Sequence, residues 1–433
     1  MARSKVLALI LAGGEGGRLE VLTEQRAKPA MPFAGVYRLI DFSLSNCMHS
    51  RLSDVWVIEQ YQPHSLNEHL ANGRPWDLDR TYGGLQVLPP YASRQDEGGF
   101  AAGNADAIYR QRTFIRDFAP DLLLVLSADH IYKLDFRDVI ERHLELKADV
   151  TMVTTKAPGG DASRYGTIKA DRGGRVTFFK YKPDEPQSDL ITTEVFVYNA
   201  ARLLDTLDNL AANGKPKKKA RGKSPKGDEG NGDTPLKDFG HELLPRFVSD
   251  GRAFEYRFEC YWRDVGTIES YWQSHMDLLA PEPPLALDDP QWPILTYGNQ
   301  SLPARVAAAA RIENSLISPG CVVGGHVSRS ILAPGVIVAE GATVRDSIIL
   351  HNTTIEAEAV INCAVIDEGV RVGQRARIGA PAKEPKRQPR ARRAATAPPS
   401  PSPQIALVGR NLQIKAGARV GADSRLKPKG SER

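Results

Sequence analysis

The chain has 433 residues, 41% of them hydrophobic and 25% charged, with a formal net charge of +5. These values are ordinary for a soluble globular protein of two or three domains. No run of about 18 apolar residues is present to cross a membrane as a helix.

The positive balance does not point to a nucleic-acid binder, because it sits in two short stretches. Lys215, Lys217, Lys218, Lys219, Arg221, Lys223 and Lys226 supply seven charges. Lys383, Lys386, Arg387, Arg390, Arg392 and Arg393, less Glu384, supply five more; the first stretch also holds Asp228, Glu229 and Asp233, so without the two stretches the remainder carries −4. Both stretches (212–235 and 380–404) are nearly free of aromatic and β-branched residues, so disordered loops are expected there. Four widely spaced cysteines, Cys47, Cys260, Cys321 and Cys363, form no CxxC pair. Reduced thiols in a cytoplasm are the expectation. Met1–Lys5 leads straight into the strand-like VLALIL with no small-residue cleavage site, unlike a signal peptide.

The first 280 residues alternate between two patterns. Val6–Leu11, Asp54–Glu59, Leu122–Ser127, Val150–Thr155 and Glu194–Tyr198 are apolar or β-branched runs that predict strands. Ala105–Phe118 and Phe136–Leu146 carry helical periodicity. The alternation predicts an α/β domain over 1–280 with a mostly parallel sheet, whose ligands bind outside the carboxyl ends of the strands. A Pro-rich linker over 281–303 follows, opening on PEPPLALDDP. Over 304–433 the rhythm changes. Leu332, Val338 and Val344, then Ile349, Ile355 and Ile361, then Ile366, Val372 and Ile378 recur in steps of six, with a step of five between runs. β-branched residues at that period, with small residues in the turns, predict a parallel β-helix of three faces per coil. The step returns after the insert at Val408, Ile414 and Val420, which predicts one more coil.

Leu11–Pro29 reads LAGGEGGRLEVLTEQRAKP. A strand runs through Leu11 and Ala12 into Gly13, Gly14, Gly16 and Gly17, where backbone amides can approach an anion closely. Arg18 and Lys28 add two cations suited to a nucleoside triphosphate. The stretch is neither a Walker A loop nor GxGxxG, since no GK[ST] closes it and the glycine spacing differs. Asp129 falls just past the strand Leu122–Ser127, at the end where an α/β sheet presents ligand groups. Asp264 lies in YWRDVG. Two carboxylates with phosphate oxygens suit Mg²⁺. His130 is expected to be a hydrogen-bonding neighbour of Asp129, and Trp262 and Trp272 to be packing groups.

On these stretches the chain resembles the nucleotidyltransferases that make nucleotide sugars, and among them the bacterial glucose-1-phosphate adenylyltransferase family. The resemblance runs through LALILAGGEGGRL, RAKPAMPFAGVYRLIDFSLSNC, SADHIYKLDF, KDFGHELLP, YWRDVGTIESYW and the hexapeptide repeats. It implies a Rossmann-like nucleotidyltransferase domain followed by a left-handed β-helix. It also implies attack of a sugar 1-phosphate on the α-phosphorus of ATP, with pyrophosphate leaving. Arg18, Lys28 and Asp129 would be catalytic, and Asp129 and Asp264 would hold Mg²⁺. Leu11, Ala12, Gly13, Gly14, Gly103 and Asp106 would meet the nucleotide. Gly166, Lys182, Thr192 and Glu194 would meet the sugar phosphate. Arg26 and Arg38 would serve regulation, and a homotetramer is the implied assembly.

Several positions depart from the family's pattern. Tyr181 stands where a glutamate normally precedes the sugar-phosphate lysine, and a phenol cannot accept two sugar hydroxyls as a carboxylate does. Thr192, Thr193 and Glu194 replace Ser-Met-Gly, with Glu194 a candidate substitute for the missing acid. Ala101, Ala102, Gly103 and Asn104 replace Tyr-Arg-Gly-Thr. Tyr91 replaces the glutamine that reads adenine, and Gln25 replaces a lysine tied to activator response. Another sugar or base, or a weakly active regulatory subunit, are therefore alternatives to ADP-glucose synthesis.

Overall fold

The computed structural model describes residues 4–90, 100–213, 236, 238–298, 300–380 and 403–428. Tyr91 and the expected disordered stretches from 214 to 235 and from 381 to 402 lie outside the described residues. The chain packs as two compact units: Met1–Glu15 with Phe42–Trp262, and Gly16–Asp41 with Arg263–Arg433. The sequence puts a border at residue 280. The packing groups Gly16–Asp41 and residues 263–280 with the C-terminal coils.

In the first unit the strands are β1 (Val6–Ala12), β2 (Asp54–Glu59), β3 (Gly84–Leu88), β4 (Leu122–Ser127), β5 (Val150–Lys156), β6 (Gly166–Ala170), β7 (Val176–Tyr181), β8 (Leu190–Asn199) and β9 (Ala253–Arg257). They form one sheet in the order β7-β6-β8-β4-β1-β2-β3, with β5 joining β8 to β9 at a branch. β1 pairs in parallel with both β2 and β4. Its run VLALILA is buried along most of its length, as a central parallel strand covered on both faces must be. The sheet is mixed rather than mostly parallel, because β8 runs antiparallel to β4, β5 and β6. β6 and β7 are neighbours in the chain, and a short connection can only return a strand antiparallel.

The expected helix Ala105–Phe118 is two helices, α1 (Asn104–Arg110) and α2 (Arg112–Phe118), broken at Gln111 with φ −87° and ψ 0°. A third, α3 (Phe136–Glu145), is capped by Asp135, which accepts from the Arg137 amide. β8 begins four residues earlier than expected, at Leu190. Its pairing with β5 slips between Thr192 and Phe196, and Glu194 there takes φ +55°, the geometry of a bulge.

In the second unit, three six-stranded parallel sheets form the coils. The expected ladders are the observed registers. Leu332 pairs with Ile349, Ile349 with Ile366, and Ile366 with Val408 across the insert. Val338, Ile355, Val372 and Ile414 form the second ladder, and Val344, Ile361, Ile378 and Val420 the third. These side chains fill one apolar core. At one set of corners Ser315, Ser330 and Ser347 stack, each hydroxyl accepting an amide from the next coil. The coils lie so close at Gly379 that a Cβ there would stand 1.7 Å from the Asn362 carbonyl.

Gly16–Asp41 is fastened within this unit by the helix α4 (Ile268–Asp277). His275 Nε2 accepts from the Ala34 amide at 3.1 Å while its Nδ1 donates to the Tyr271 carbonyl. Tyr271 donates its hydroxyl to the Pro32 carbonyl.

Candidate active site

In the first unit, the expected nucleotide residues gather at the carboxyl edge of the sheet. Gly13 follows β1, and a Cβ on it would lie 2.9 Å from the Gln60 side-chain amide. Glycine is thus required for Gln60 to lie against the turn. Gln60 also lines a shallow cleft with Pro89, Pro90, Ala101 and Arg110. Gly103 precedes α1 in extended backbone, φ 176°. Asp106 accepts from the Ala102 amide and from Arg110 Nε, both at 2.9 Å. Its carboxylate therefore fixes the Ala101–Gly103 turn in place.

Asp129 stands two residues beyond the end of β4. Ser127 Oγ donates to its carboxylate, and His130 Nε2 is 3.6 Å from Oδ1. His130 Nδ1 lies 3.0 Å from the Thr193 carbonyl. A carbonyl accepts only, so Nδ1 carries the proton and the ring is tied to the β8 bulge beside Glu194. Trp262 packs its ring against His130 and Tyr165, with centroids 5.1 and 5.6 Å apart. It is a wall of this site as well as a packing group.

The expected sugar-phosphate residues meet along β6, β7 and β8. A Cβ on Gly166 would touch Thr192 Oγ1 at 2.9 Å and the Phe179 ring at 3.0 Å, so Gly166 and Thr192 are brought together. Lys182 follows β7 with φ +42°. Its Nζ lies 4.5 Å from the centre of the Tyr181 ring, within cation–π range. Tyr181 donates its hydroxyl to Asp238 at 3.1 Å and stands edge-on to His241 at 5.0 Å. A Cβ on Gly240 would overlap the Tyr181 ring. Asp238 and His241 received no role from sequence. The signal was present, since both fall within KDFGHELLP, and the departure at Tyr181 called for a partner.

The second unit brings Arg18, Lys28 and Asp264 together. Lys28 Nζ is 3.8 Å from Asp264 Oδ1, with both side chains largely buried. A Cβ on Gly266 would lie 3.0 Å from Asp264 Oδ2 and 3.1 Å from Arg18 Nη2, so the two charged ends converge over that glycine. Ser270 Oγ donates to the Asp264 carbonyl. Among the described residues no three His, Cys, Asp or Glu side chains form a closed metal cage. Asp129 and Asp264 offer hard carboxylate oxygens, and Mg²⁺ takes one or two of these while keeping waters and phosphate oxygens. The donor chemistry fits that ion.

Arg26 and Arg38 also come together, around carboxylates the sequence reading did not identify. Arg26 Nη2 is 2.5 Å from Asp367 Oδ1. Glu368 lies 3.6 Å from Arg26, 3.7 Å from Arg38 and 2.7 Å from Arg410. Burial raises the Glu368 pKa, and Arg26, Arg38, Arg410 and His351 outweigh it, so the carboxyl ends below its usual range. Burial lowers Arg38 despite Glu368. The Asp367 carboxyl is held up by burial against the pull of Arg26. The signal in sequence was an acidic pair, Asp367–Glu368, in a turn of a repeat that elsewhere favours small residues.

Comparison with known proteins agrees with this architecture. The family described as nucleotidyl transferase matches residues 7–280, and the family described as GlmU-like, C-terminal hexapeptide matches residues 302–394. Fold and site thus define a nucleotidyltransferase carrying a hexapeptide β-helix. Glucose-1-phosphate adenylyltransferase of Desulforamulus reducens is 38% identical over 98% of this chain and 99% of its own. The enzymes of the same name from Thermosipho africanus and Thermotoga neapolitana are 40% and 41% identical over 78% of this chain, and over 78% and 76% of their own. The chain belongs to the glucose-1-phosphate adenylyltransferase family.

Proposed function

We propose that the chain transfers the adenylyl group of ATP to α-D-glucose 1-phosphate, giving ADP-glucose and pyrophosphate for α-glucan synthesis. The observation that carries this reading is the near end-to-end match to enzymes of that name. The convergence of Arg18 and Lys28 on Asp264 supports it.

A phosphate oxygen of the sugar 1-phosphate forms a bond to the α-phosphorus. The bond from that phosphorus to the bridging oxygen breaks, and pyrophosphate leaves. The nucleophile is already ionised near neutral pH, so no general base is required, and positioning with charge neutralisation does most of the work. Arg18 and Lys28 neutralise the leaving pyrophosphate. Leu11 to Gly14 offer backbone to the nucleotide, and the turn fixed by Asp106 at Gly103 borders it. Lys182 holds the sugar phosphate. Asp129 and Asp264 are the carboxylates that would hold Mg²⁺, which when bound withdraws charge from phosphate oxygens. Ser127 keeps the Asp129 carboxylate oriented, with His130 beside it.

Residues 1–280 are taken as the catalytic domain, 281–303 as a linker and 304–433 as the β-helix domain. A homotetramer in the cytoplasm and regulation through Arg26 and Arg38 complete the reading, on the family resemblance. A second reading, transfer to another sugar or from another base, is favoured by one observation. Tyr181 spends its hydroxyl on Asp238, where a carboxylate would have faced sugar hydroxyls. Glu194 and Thr192 are then the groups left to choose the sugar.

The test crosses ATP, GTP, UTP, CTP and dTTP with the 1-phosphates of glucose, glucosamine, mannose and galactose, measuring pyrophosphate release. ATP with glucose 1-phosphate is expected to give the highest kcat/KM. A different best pair would replace the substrate assignment and keep the reaction class.

A further inference from the structure

The registers of the β-helix stack three side chains above one another. Ile349, Ile366 and Val408 occupy one ladder, so the residues two places further on, His351, Glu368 and Arg410, share one coil position. Glu368 is the middle member, 3.7 Å from His351 Nδ1 and 2.7 Å from Arg410 Nη2. Into the same point reach Arg26 and Arg38 from Gly16–Asp41. Both their Nη1 atoms are buried without a hydrogen-bond partner, at 3.6 and 3.7 Å from Glu368 Oε1. Asp367 closes the other side of Arg26.

We propose that Glu368 is a built-in counter-anion that positions Gly16–Asp41 for catalysis, filling the place that an anionic effector would need in order to act on Arg26 and Arg38. This rests on, and deepens, the reading of those two arginines as regulatory. Three guanidiniums face two carboxylates, so with no ligand from outside the cluster keeps one unit of positive charge rather than the two it would carry without Glu368. Arg26 lies two residues before Lys28, and the same segment carries Arg18. Fixing Arg26 and Arg38 therefore fixes the backbone from which both cations reach Asp264. Without Glu368, three cations would share Asp367. A buried charge left without its partner is strongly unfavourable, and the segment would have to shift or recruit an anion.

The experiment compares the full chain with Glu368→Gln, Glu368→Asp and Glu356→Gln, the last removing a surface pair with Arg371 in another coil. Thermal midpoint and nucleotide-sugar formation are followed with and without inorganic phosphate. The Gln variant is expected to lose about 10-fold in kcat, a misplacement effect, with the sugar-phosphate KM little changed. Phosphate is expected to raise its midpoint by several degrees through binding to the folded state and to recover part of the rate. Wild type, Glu368→Asp and Glu356→Gln are expected to show no such gain. If Glu368→Gln does not fold in phosphate-free buffer, phosphate during purification is expected to rescue it. A Gln variant with wild-type kcat would overturn the proposal. So would one impaired but indifferent to phosphate, or an Asp variant as impaired as the Gln one. A wild-type chain that forms no nucleotide sugar from any substrate pair would sink the functional reading only, because the phosphate-dependent midpoint decides Glu368 by itself.

Discussion

The sheet around β1 and the coils of the β-helix are both made of parallel strands, yet they use the ends of those strands in opposite ways. In the sheet, strand after strand ends in groups fit for a ligand: β1 in Gly13 and Gly14, β2 at Gln60, β4 at Ser127 and Asp129. The coils end in Ser ladders and close glycines, with charged side chains gathered about the turn at Asp367–Glu368. Twist separates these two outcomes. A twisted open sheet splays at its carboxyl edge and leaves a crevice where strand order reverses. Coils repeating at one period stack flush, so their turns have nothing to line. Charged chemistry in the coil-bearing unit therefore sits on attachments: Arg18 and Lys28 on Gly16–Asp41, and Asp264 just before α4.

The sharpest way to break this comparison is at Asp129. Asp129→Asn keeps the shape and removes the charge, and kcat for pyrophosphate release is expected to fall about 10³-fold or more, the scale of losing a principal electrostatic group. The thermal midpoint should stay within about 2 °C, since asparagine keeps the shape and an oxygen that can still accept from Ser127 Oγ. Turnover near wild type would show that the end of β4 is not where the chemistry lies.

Next in size is Lys182→Ala, expected to raise KM for the sugar phosphate about 10²-fold, the worth of a lost charge-assisted contact. KM for ATP should barely move. Equal rises in both would detach Lys182 from the sugar phosphate and leave its contact with Tyr181 as its role. In the coils the expected pattern is inverted. Gly379 has φ +71° and no room for a Cβ, so Gly379→Ala is expected to destabilise by at least about 2 kcal/mol from left-handed strain and the clash together. Both KM values should be unchanged wherever the variant is folded. An altered KM would mean that the coils shape the substrate pocket.

How much of this was legible in the sequence follows the same division. The coil ladders could be read residue by residue, because a fixed period leaves one register that turns the six-step aliphatic side chains into the core. The strands β1, β2 and β4 were legible as continuous apolar runs. The start of β8 was not, since Leu190–Thr193 joins the strand across a bulge at Glu194 and a periodic pattern breaks where backbone turns left-handed. The break at Gln111 was hidden for a related reason: both short helices keep the same apolar face. At the site, motif position revealed Asp129, Asp264, Arg18 and Lys28. The pairing of Tyr181 with Asp238, 57 positions away, and of Arg26 with Asp367, 341 positions away, leaves no trace in local pattern. Such contacts are made by the fold.

The smallest expected effect is a graded one, and it tests the comparison through stability. His143 in α3, His275 in α4 and His351 in the coils are each pushed down to about 4, by burial first, with Arg252 adding to it at His143 and Arg38 at His351. A lowered histidine is neutral in the folded protein while its unfolded counterpart binds a proton below about 6.5. Between about pH 6.5 and 4 the unfolded chain holds more protons, so stability falls as pH drops through that window and levels off below it. Linkage gives up to about 1.4 kcal/mol per pH unit for each such group. Glu368 acts at lower pH: its depressed carboxyl contributes stability that is present above about 4.5 and lost as pH falls further. Two of the three histidines belong to the coil-bearing unit, so that unit should be the more acid-sensitive. Melting curves from pH 7.5 to 5 are expected to show a downward slope that His275→Gln with His351→Gln flattens more than His143→Gln does. Glutamine at 275 can still accept from the Ala34 amide and donate to the Tyr271 carbonyl, which keeps Gly16–Asp41 fastened while the proton is removed from the account. If His143→Gln flattened the slope as much as the pair, acid sensitivity would belong to the sheet as much as to the coils, and the contrast between them would hold for chemistry alone.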